Sequence, residues 1–428
     1  MDEAASAREV EPKRDTIWLT GADMANLAIG IVIHVILTRS LLSDDYGSFV
    51  LLLDFFHVCV ILIDLGLPTL IARDGGRMSA KLPSILNQVA VLQFVVMWVM
   101  LVVVLFSTRT LDSTWEKPAV LLLMAAAMQV IAYSFRAAMR SQGEARLEAM
   151  VRISDRAVVC LVMVLWADSL VDLALASAIG PCVSATLAML LFKYGIEPNL
   201  DETSGDLPET AELETKELVK VGLPFMVAGA ALVINVRIEK LLLGILATPE
   251  DVAVFQVAWL GFIAAYAPVL SLRAVLTSWL GEVRDDAQEL FMRSRKAFFA
   301  SIGLGCILSL VGLIISPLAF DTLFPDYSEL VLTPFRVLLL AWLFHTIASS
   351  PLALIQVGKR PWNYTRILWI GVGVSAAVLA LVMNTATKAP MGAAIAAASG
   401  ALVVLGLSSS LALYHKQDSS ESTAEEIK

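Results

Sequence analysis

Charged and polar side chains stand in the middle of long apolar runs of this 428-residue chain, and their spacing limits the chemistry they can do. Asp23, Asn26 and His34 share one apolar run, and Asp54, His57 and Asp64 share the next. At the helical repeat each trio falls within an arc of about 80°, so each run carries a single polar stripe. A shielded carboxylate can be raised toward neutral pH, and an imidazole titrates there without help. Asp23, or the pair Asp54 and His57, is therefore a candidate carrier of a coupling proton. A third group, Asn235, Arg237, Glu239 and Lys240, lies within six residues of sequence. On a continuous helix Asn235 and Glu239 share one face, and Arg237 and Lys240 share another. One acid against two bases leaves a surplus positive charge. A phosphate bears matching negative charge, and the planar fork of arginine fits phosphate oxygens. The other reading of all three groups is structural: interhelical hydrogen-bond seams in the first two, a self-neutralised cluster in the third.

The elements that hold these residues are set by lipid. Apolar residues make up 58% of the chain and charged residues 17%, against about 45–50% and 25% in soluble domains. That balance excludes a soluble enzyme, a disordered chain and a disulfide-stapled secreted domain. Twelve runs approach the roughly 20 apolar residues a spanning helix needs. They are Ile17–Thr38, Tyr46–Leu67, Ile85–Phe106, Pro118–Phe135, Met150–Trp166, Val171–Phe192, Leu218–Leu246, Val252–Leu272, Phe298–Leu318, Thr333–Leu354, Ile367–Met383 and Met391–Leu413. The seventh is too long for a straight span, and an interfacial turn before Pro224 is expected. Ser278 to Lys296 mixes apolar and charged residues and is expected to form an interfacial amphipathic helix.

With both termini cytoplasmic, the external loops hold only Arg39, Arg109, Lys117 and Lys388 of the chain's 31 Lys and Arg. Nearly all the others flank the cytoplasmic ends of the spans, as the positive-inside bias requires. The exceptions lie within spans: Arg237, Lys240 and Arg336. Arg336 reads as a snorkelling residue or a phosphate contact near the outside. Arg136 and Arg140 read as positive-inside residues or as a cytoplasmic funnel for phosphate. An acidic stretch with Pro198 and Pro208 divides the chain into 1–194, a linker 195–217, and 218–428. The opening residues are charged and lead into no short apolar stretch with a cleavage site, so no removable signal peptide is expected. Cys59, Cys160, Cys182 and Cys306 lie singly in apolar runs and suit neither disulfides nor metal. Nothing forms a nucleic-acid footprint. No cofactor is implied, and the external loops are too short to hold the acid/base pair of a membrane-embedded enzyme.

Leu37-Thr-Arg-Ser-Leu-Leu-Ser-Asp-Asp-Tyr-Gly-Ser-Phe49, with Asp64-Leu-Gly-Leu-Pro68 and Arg73, resembles the opening hairpin of the polysaccharide-transporter (Wzx-type, O-antigen flippase) branch of the multidrug/oligosaccharidyl-lipid/polysaccharide (MOP) exporter superfamily. Arg237-Ile-Glu-Lys-Leu-Leu-Leu-Gly244 with Thr248-Pro-Glu-Asp-Val-Ala-Val-Phe255 is similar to that branch's seventh helix and following hairpin, and Leu323-Phe-Pro-Asp-Tyr327 to its motif before helix ten. The resemblance implies an all-α polytopic membrane protein, twelve transmembrane helices in two six-helix bundles around a central cavity. It implies a flippase that moves a polyprenyl-phosphate- or diphosphate-linked oligosaccharide from the cytoplasmic to the outer leaflet of the cell membrane by alternating access. The phosphate is expected at Arg237, Lys240, Asn235, Arg336 and Arg136. Coupling to H+ or Na+ is expected at Asp23, Asp54, His57 and Glu239. A cation-coupled drug antiporter of the same superfamily is the alternative, with Asp23, Asp54 and Glu239 as its acids.

Overall fold

A computed structural model of the protein describes residues 12–75, 81–111, 115–166, 169–196, 215–283, 286–357, 362–385 and 388–426. The acidic stretch 197–214 and Arg77 lie outside the described residues. Lipid offers no hydrogen bonds, so the backbone must satisfy itself within helices, and no strand occurs among the described residues. In chain order the helices are α1 (Pro12–Ser40), α2 (Ser43–Asp64), α3 (Leu67–Asp74), α4 (Leu82–Leu111), α5 (Glu116–Ser141), α6 (Ala145–Trp166) and α7 (Leu170–Gly195). They continue as α8 (Thr215–Asn235), α9 (Ile238–Leu246), α10 (Pro249–Gly281), α11 (Ala287–Leu323), α12 (Ser328–Val357), α13 (Trp362–Val382) and α14 (Ala389–Glu426), with a 3-10 turn, Pro325–Tyr327, before α12.

Each of the first six and last five expected spans lies largely or wholly within one long helix, and the seventh is split between two. Among the described residues ten helices are long and apolar enough to cross a membrane. The helix α6 is not among those ten, since Arg146, Glu148, Arg152, Asp155 and Arg156 crowd its first half. Two expectations are corrected. The long seventh segment does not turn before Pro224, which stays inside α8; it breaks at Val236 and Arg237. Ser278–Lys296 is not one amphipathic helix but the end of α10 and the start of α11. Asp286 makes the division, its carboxylate accepting from the amides of Gln288 and Glu289 at 3.0 and 2.9 Å, as an N-cap does.

The helices gather into two compact units. One holds residues 1–37 and 52–230, the other 38–51 and 231–428. In the first, α5 packs against α3, α4, α6 and α7. Its buried Ala125, Ala126, Ala127, Ala132, Ala137 and Ala138 let neighbouring backbones approach closely, which is how helices gain contact in lipid. The motif Asp64-Leu-Gly-Leu-Pro68 makes the corner between α2 and α3. Leu65 and Gly66 both take left-handed backbone angles, φ 53 and 72. Asp64 Oδ2 accepts from the Gly66 amide at 3.3 Å, and Pro68 opens α3. A Cβ at Gly66 would overlap the carbonyl of Gly222. Asp64 does not pair with Arg73, which grips Asp74 through two 2.7 Å bonds instead.

In the second unit α12 is the most enclosed helix, packing on α10, α11 and α14. Trp342 is buried and donates its indole N–H to the carbonyl of Ala265 at 2.7 Å. This unit also takes the tip of the α1–α2 hairpin. Tyr46 is wholly buried and meets Tyr327 edge-on at 6.4 Å, and the Tyr327 hydroxyl donates to Ser43 at 3.2 Å. Arg39 donates to the carbonyl of Thr322 at 3.0 Å near the end of α11, where a cation opposes the helix dipole. Three sequence-distant motifs thus meet at one place, since Gly47 also lies against the carbonyl of Pro249.

Candidate functional site

The break between α8 and α9 decides how the third polar group is arranged. Asn235 ends α8, Arg237 sits at the N-cap of α9, and Glu239 and Lys240 form its first turn. The faces expected on a continuous helix do not carry across this break. Glu239 and Lys240 are 2% and 4% exposed. The Lys240 ammonium donates to Gln256 of α10 at 3.0 Å. Glu239 interacts with Lys240 and with the hydroxyl of Ser375 on α13, yet its Oε2 has no hydrogen-bond partner. Arg237 is half-buried with its Nε lacking a hydrogen bond. The Asn235 amide oxygen lies near Gly371 of α13. The group is thus an acid and two bases gathered at a helix interruption and met by α10 and α13. Arg336 is exposed on α12, and no hydrogen bond or ion pair joins it to this group among the described residues.

In the first unit the proposed ion-coupling residues separate into two places. Asp23 accepts from Arg152 at 2.5 Å while its side chain remains 58% exposed. Arg152 also holds the fully buried Glu148 through bonds of 3.0 and 2.7 Å. Arg140 grips the same carboxylate, with Nε at 2.8 Å on one oxygen and Nη2 on the other. Asp23, Arg152, Glu148 and Arg140 therefore form one chain of ion pairs across α1, α6 and α5. Arg136 stands over the Tyr133 ring at 5.3 Å, its Nε without a hydrogen bond, and interacts electrostatically with Arg152, Glu148 and Asp155. Asp54 is completely buried, with Oδ2 lacking a hydrogen bond. His57 turns Nδ1 to the carbonyl of Leu53 at 2.5 Å and packs edge-on against Phe56 at 5.0 Å.

Three groups were not singled out as site residues from sequence. Glu148 is the hub of the ion-pair chain. Asp155 is 6% exposed with Oδ1 unpartnered. Arg273, placed by charge counting in a cytoplasmic loop, is 5% exposed inside α10. The available signal was spacing. Phe255, Trp259, Phe262 and Tyr266 are in successive ring contact along α10, the last three stacked, and Arg273 lies two turns beyond Tyr266. All four cysteines are free.

Ten helices of spanning length and apolarity among the described residues, gathered into two compact units, define a multi-pass membrane protein. Solved structures share this fold over nearly the whole chain. An inward-facing multidrug resistance MATE family transporter of the MOP superfamily matches with a TM-score of 0.69 at 15% identity, over 93% of this chain and 95% of its own. An outward-facing MATE family transporter matches at 0.63 and 15%, over 95% and 96%. A MOP superfamily transporter from Pyrococcus furiosus, described as having a binding pocket of reversed polarity, matches at 0.65 and 15%, over 95% and 96%. The chain thus has the fold of the MOP superfamily transporters. No curated protein matches it. Residues 13–271, more than half of the sequence, match the family described as polysaccharide biosynthesis protein, and the chain belongs to that family. The resemblance carried by the sequence motifs is borne out.

Proposed function

We propose that this protein moves a polyprenyl-phosphate- or diphosphate-linked oligosaccharide from the cytoplasmic to the outer leaflet of the cell membrane by alternating access. Its halves would be 1–194 and 218–428, joined by the linker 195–217, with both termini cytoplasmic. The observation that carries the reading is a positively charged group, Arg237 and Lys240, at a helix break in a chain of the polysaccharide biosynthesis family. Irregular backbone and charge at membrane depth are tolerated where they face protein or a wet cavity. Arg237, Lys240 and Asn235 would hold the headgroup phosphate, with Arg136 and Arg336 as contacts nearer the two faces. The prenyl tail gains nothing by leaving hydrocarbon and would stay in lipid.

Two negative charges moving outward across an inside-negative potential gain about 4.6 kcal/mol per 100 mV. H+ or Na+ at Asp23, Asp54, His57 and Glu239 would supplement that drive and reset the empty carrier. The burial of the Asp54 and Glu239 carboxylates favours such a role. It also favours the second reading, a cation-coupled antiporter, since the fold is shared with multidrug transporters.

The test is a flipping assay in sealed vesicles. The Arg237→Ala, Lys240→Ala double variant is expected to lose at least about 100-fold in initial rate, as charge-assisted phosphate contacts contribute roughly 1.5–3 kcal/mol each. Wild-type rates in the folded double variant would remove the cationic site. Uptake of organic cations driven by a proton gradient, with no lipid flipping, would establish the antiporter.

A further inference from the structure

Arg273 is buried in the second unit, and nothing above gives it a role. Its Nη1 donates to the Tyr364 hydroxyl of α13 at 3.4 Å. Nε and Nη2 are buried and have no hydrogen-bond partner. These two N–H groups leave the guanidinium along one edge, the edge that grips two oxygens of an oxyanion at once. The same protein shows that edge in use. Arg73 places Nε and Nη2 on the two oxygens of Asp74, each at 2.7 Å, and Arg140 places the same pair of nitrogens on Glu148.

At Arg273 no carboxylate among the described residues fills that edge. Tyr266 and Tyr364 interact with its guanidinium, and Arg273 in turn acts on the ring of His345 on α12. His345 meets Tyr266 edge-on at 5.1 Å. A buried cation without a counter-ion is costly, and each buried donor left unmade costs about 1–3 kcal/mol. The two guanidinium N–H groups of that edge suit an oxyanion, and the hydroxyls of Tyr266 and Tyr364, which also interact with Arg273, can each donate one more hydrogen bond. A phosphate, with three or four oxygens, can receive more of these donors than a carboxylate with two.

We propose that Arg273, Tyr266 and Tyr364 form an oxyanion site that takes a phosphate group, presented either by a prenyl lipid headgroup or as free inorganic phosphate. The first of these sources rests on the function proposed above; the site itself does not. Tyr364 stands at the start of α13 and Arg273 in the second half of α10. In the orientation proposed above, both lie toward the cytoplasmic leaflet, where a prenyl phosphate is made available.

The experiment is thermal unfolding of the full chain in detergent, titrated with sodium phosphate, with a polyprenyl phosphate, and with the matching uncharged prenol at constant ionic strength. Saturable stabilisation by either phosphate and none by the prenol is expected. A response to inorganic phosphate identifies a free-anion site. A response to the prenyl phosphate alone identifies a lipid headgroup site. Arg273→Lys keeps the charge and loses the two-pronged edge, and is expected to weaken binding about tenfold or more. Tyr364→Phe removes one hydroxyl and is expected to weaken it severalfold, giving a second readout should the lysine variant fail to fold. No saturable response to either phosphate, or equal affinity in both folded variants, overturns the site. Phosphate binding at Arg273 with flipping absent, or flipping without such binding, separates this proposal from the transport reading.

Discussion

Replacing Glu148 with alanine is expected to destabilise the protein by about 3–5 kcal/mol, the range for removing one partner from a buried ion pair. The carboxylate is fully buried and receives four hydrogen bonds from two guanidiniums. Without it Arg140 loses its acid, and Arg152 keeps only Asp23, a partner that is more than half exposed. A pair so open to solvent contributes only up to about 1 kcal/mol and cannot replace the buried one. Asp23→Asn should therefore move the melting temperature far less than Glu148→Ala. Melting curves in detergent decide the point, and equal shifts for the two variants would show that the ion-pair chain has no buried hub.

Gly180→Val is the second large effect. At this point α7 crosses α6 with no room for a side chain. A Cβ would stand 2.7 Å from the carbonyl oxygen of Asp155 and 2.9 Å from its Oδ1, and would overlap Val159. Backbone cannot give way as a flexible side chain can, so the helices must part. Overpacking of this kind costs about 1–3 kcal/mol and sometimes more. Gly229→Ala is the control, since nothing lies within 4 Å of a Cβ there. It should leave the melting temperature unchanged or raise it, because alanine favours helix over glycine by up to about 1 kcal/mol. A valine at 180 that melts with the wild type would mean that α6 and α7 are less closely packed than described.

Sequence reading succeeds here where lipid imposes the answer. The first six and last five expected spans each lie in one long helix, because hydrocarbon requires long apolar runs and satisfied backbones. The corner at Gly66 was missed, since the second expected span, Tyr46–Leu67, runs through it, although the Gly and Pro of Asp64-Leu-Gly-Leu-Pro68 are strong breakers that mark it locally. The break at Val236 and Arg237 has no such mark. The nearby proline, Pro224, stays within α8, and a proline inside a membrane helix is commonly tolerated. The candidate site was legible only in part. Asp54, Glu239 and Lys240 are buried, as charges inside apolar runs suggest, but their partners come from other helices and leave no trace in local spacing. Arg273 was hidden by the counting of Lys and Arg, and Glu148 by standing just before the fifth expected span, Met150–Trp166. A charge beside an apolar run is assigned to the loop, whereas α10 runs on to Gly281 and α6 begins at Ala145.

In an unbroken span every amide proton is passed to a carbonyl four residues earlier and sealed under hydrocarbon, so heavy water reaches it slowly. Between α8 and α9 that relay stops. The Arg237 amide donates back to Ile234, three residues earlier, and the ladder resumes with the Leu241 amide donating to Arg237. The amides of Ile238, Glu239 and Lys240 belong to the opening turn, which a helix leaves without acceptors of its own. Deuterium should enter there before it enters the flanking turns, and its uptake would fall whenever a bound molecule covers the gap. Were the headgroup held at this interruption, as proposed, that fall would be an occupancy gauge that mass spectrometry can read without any label.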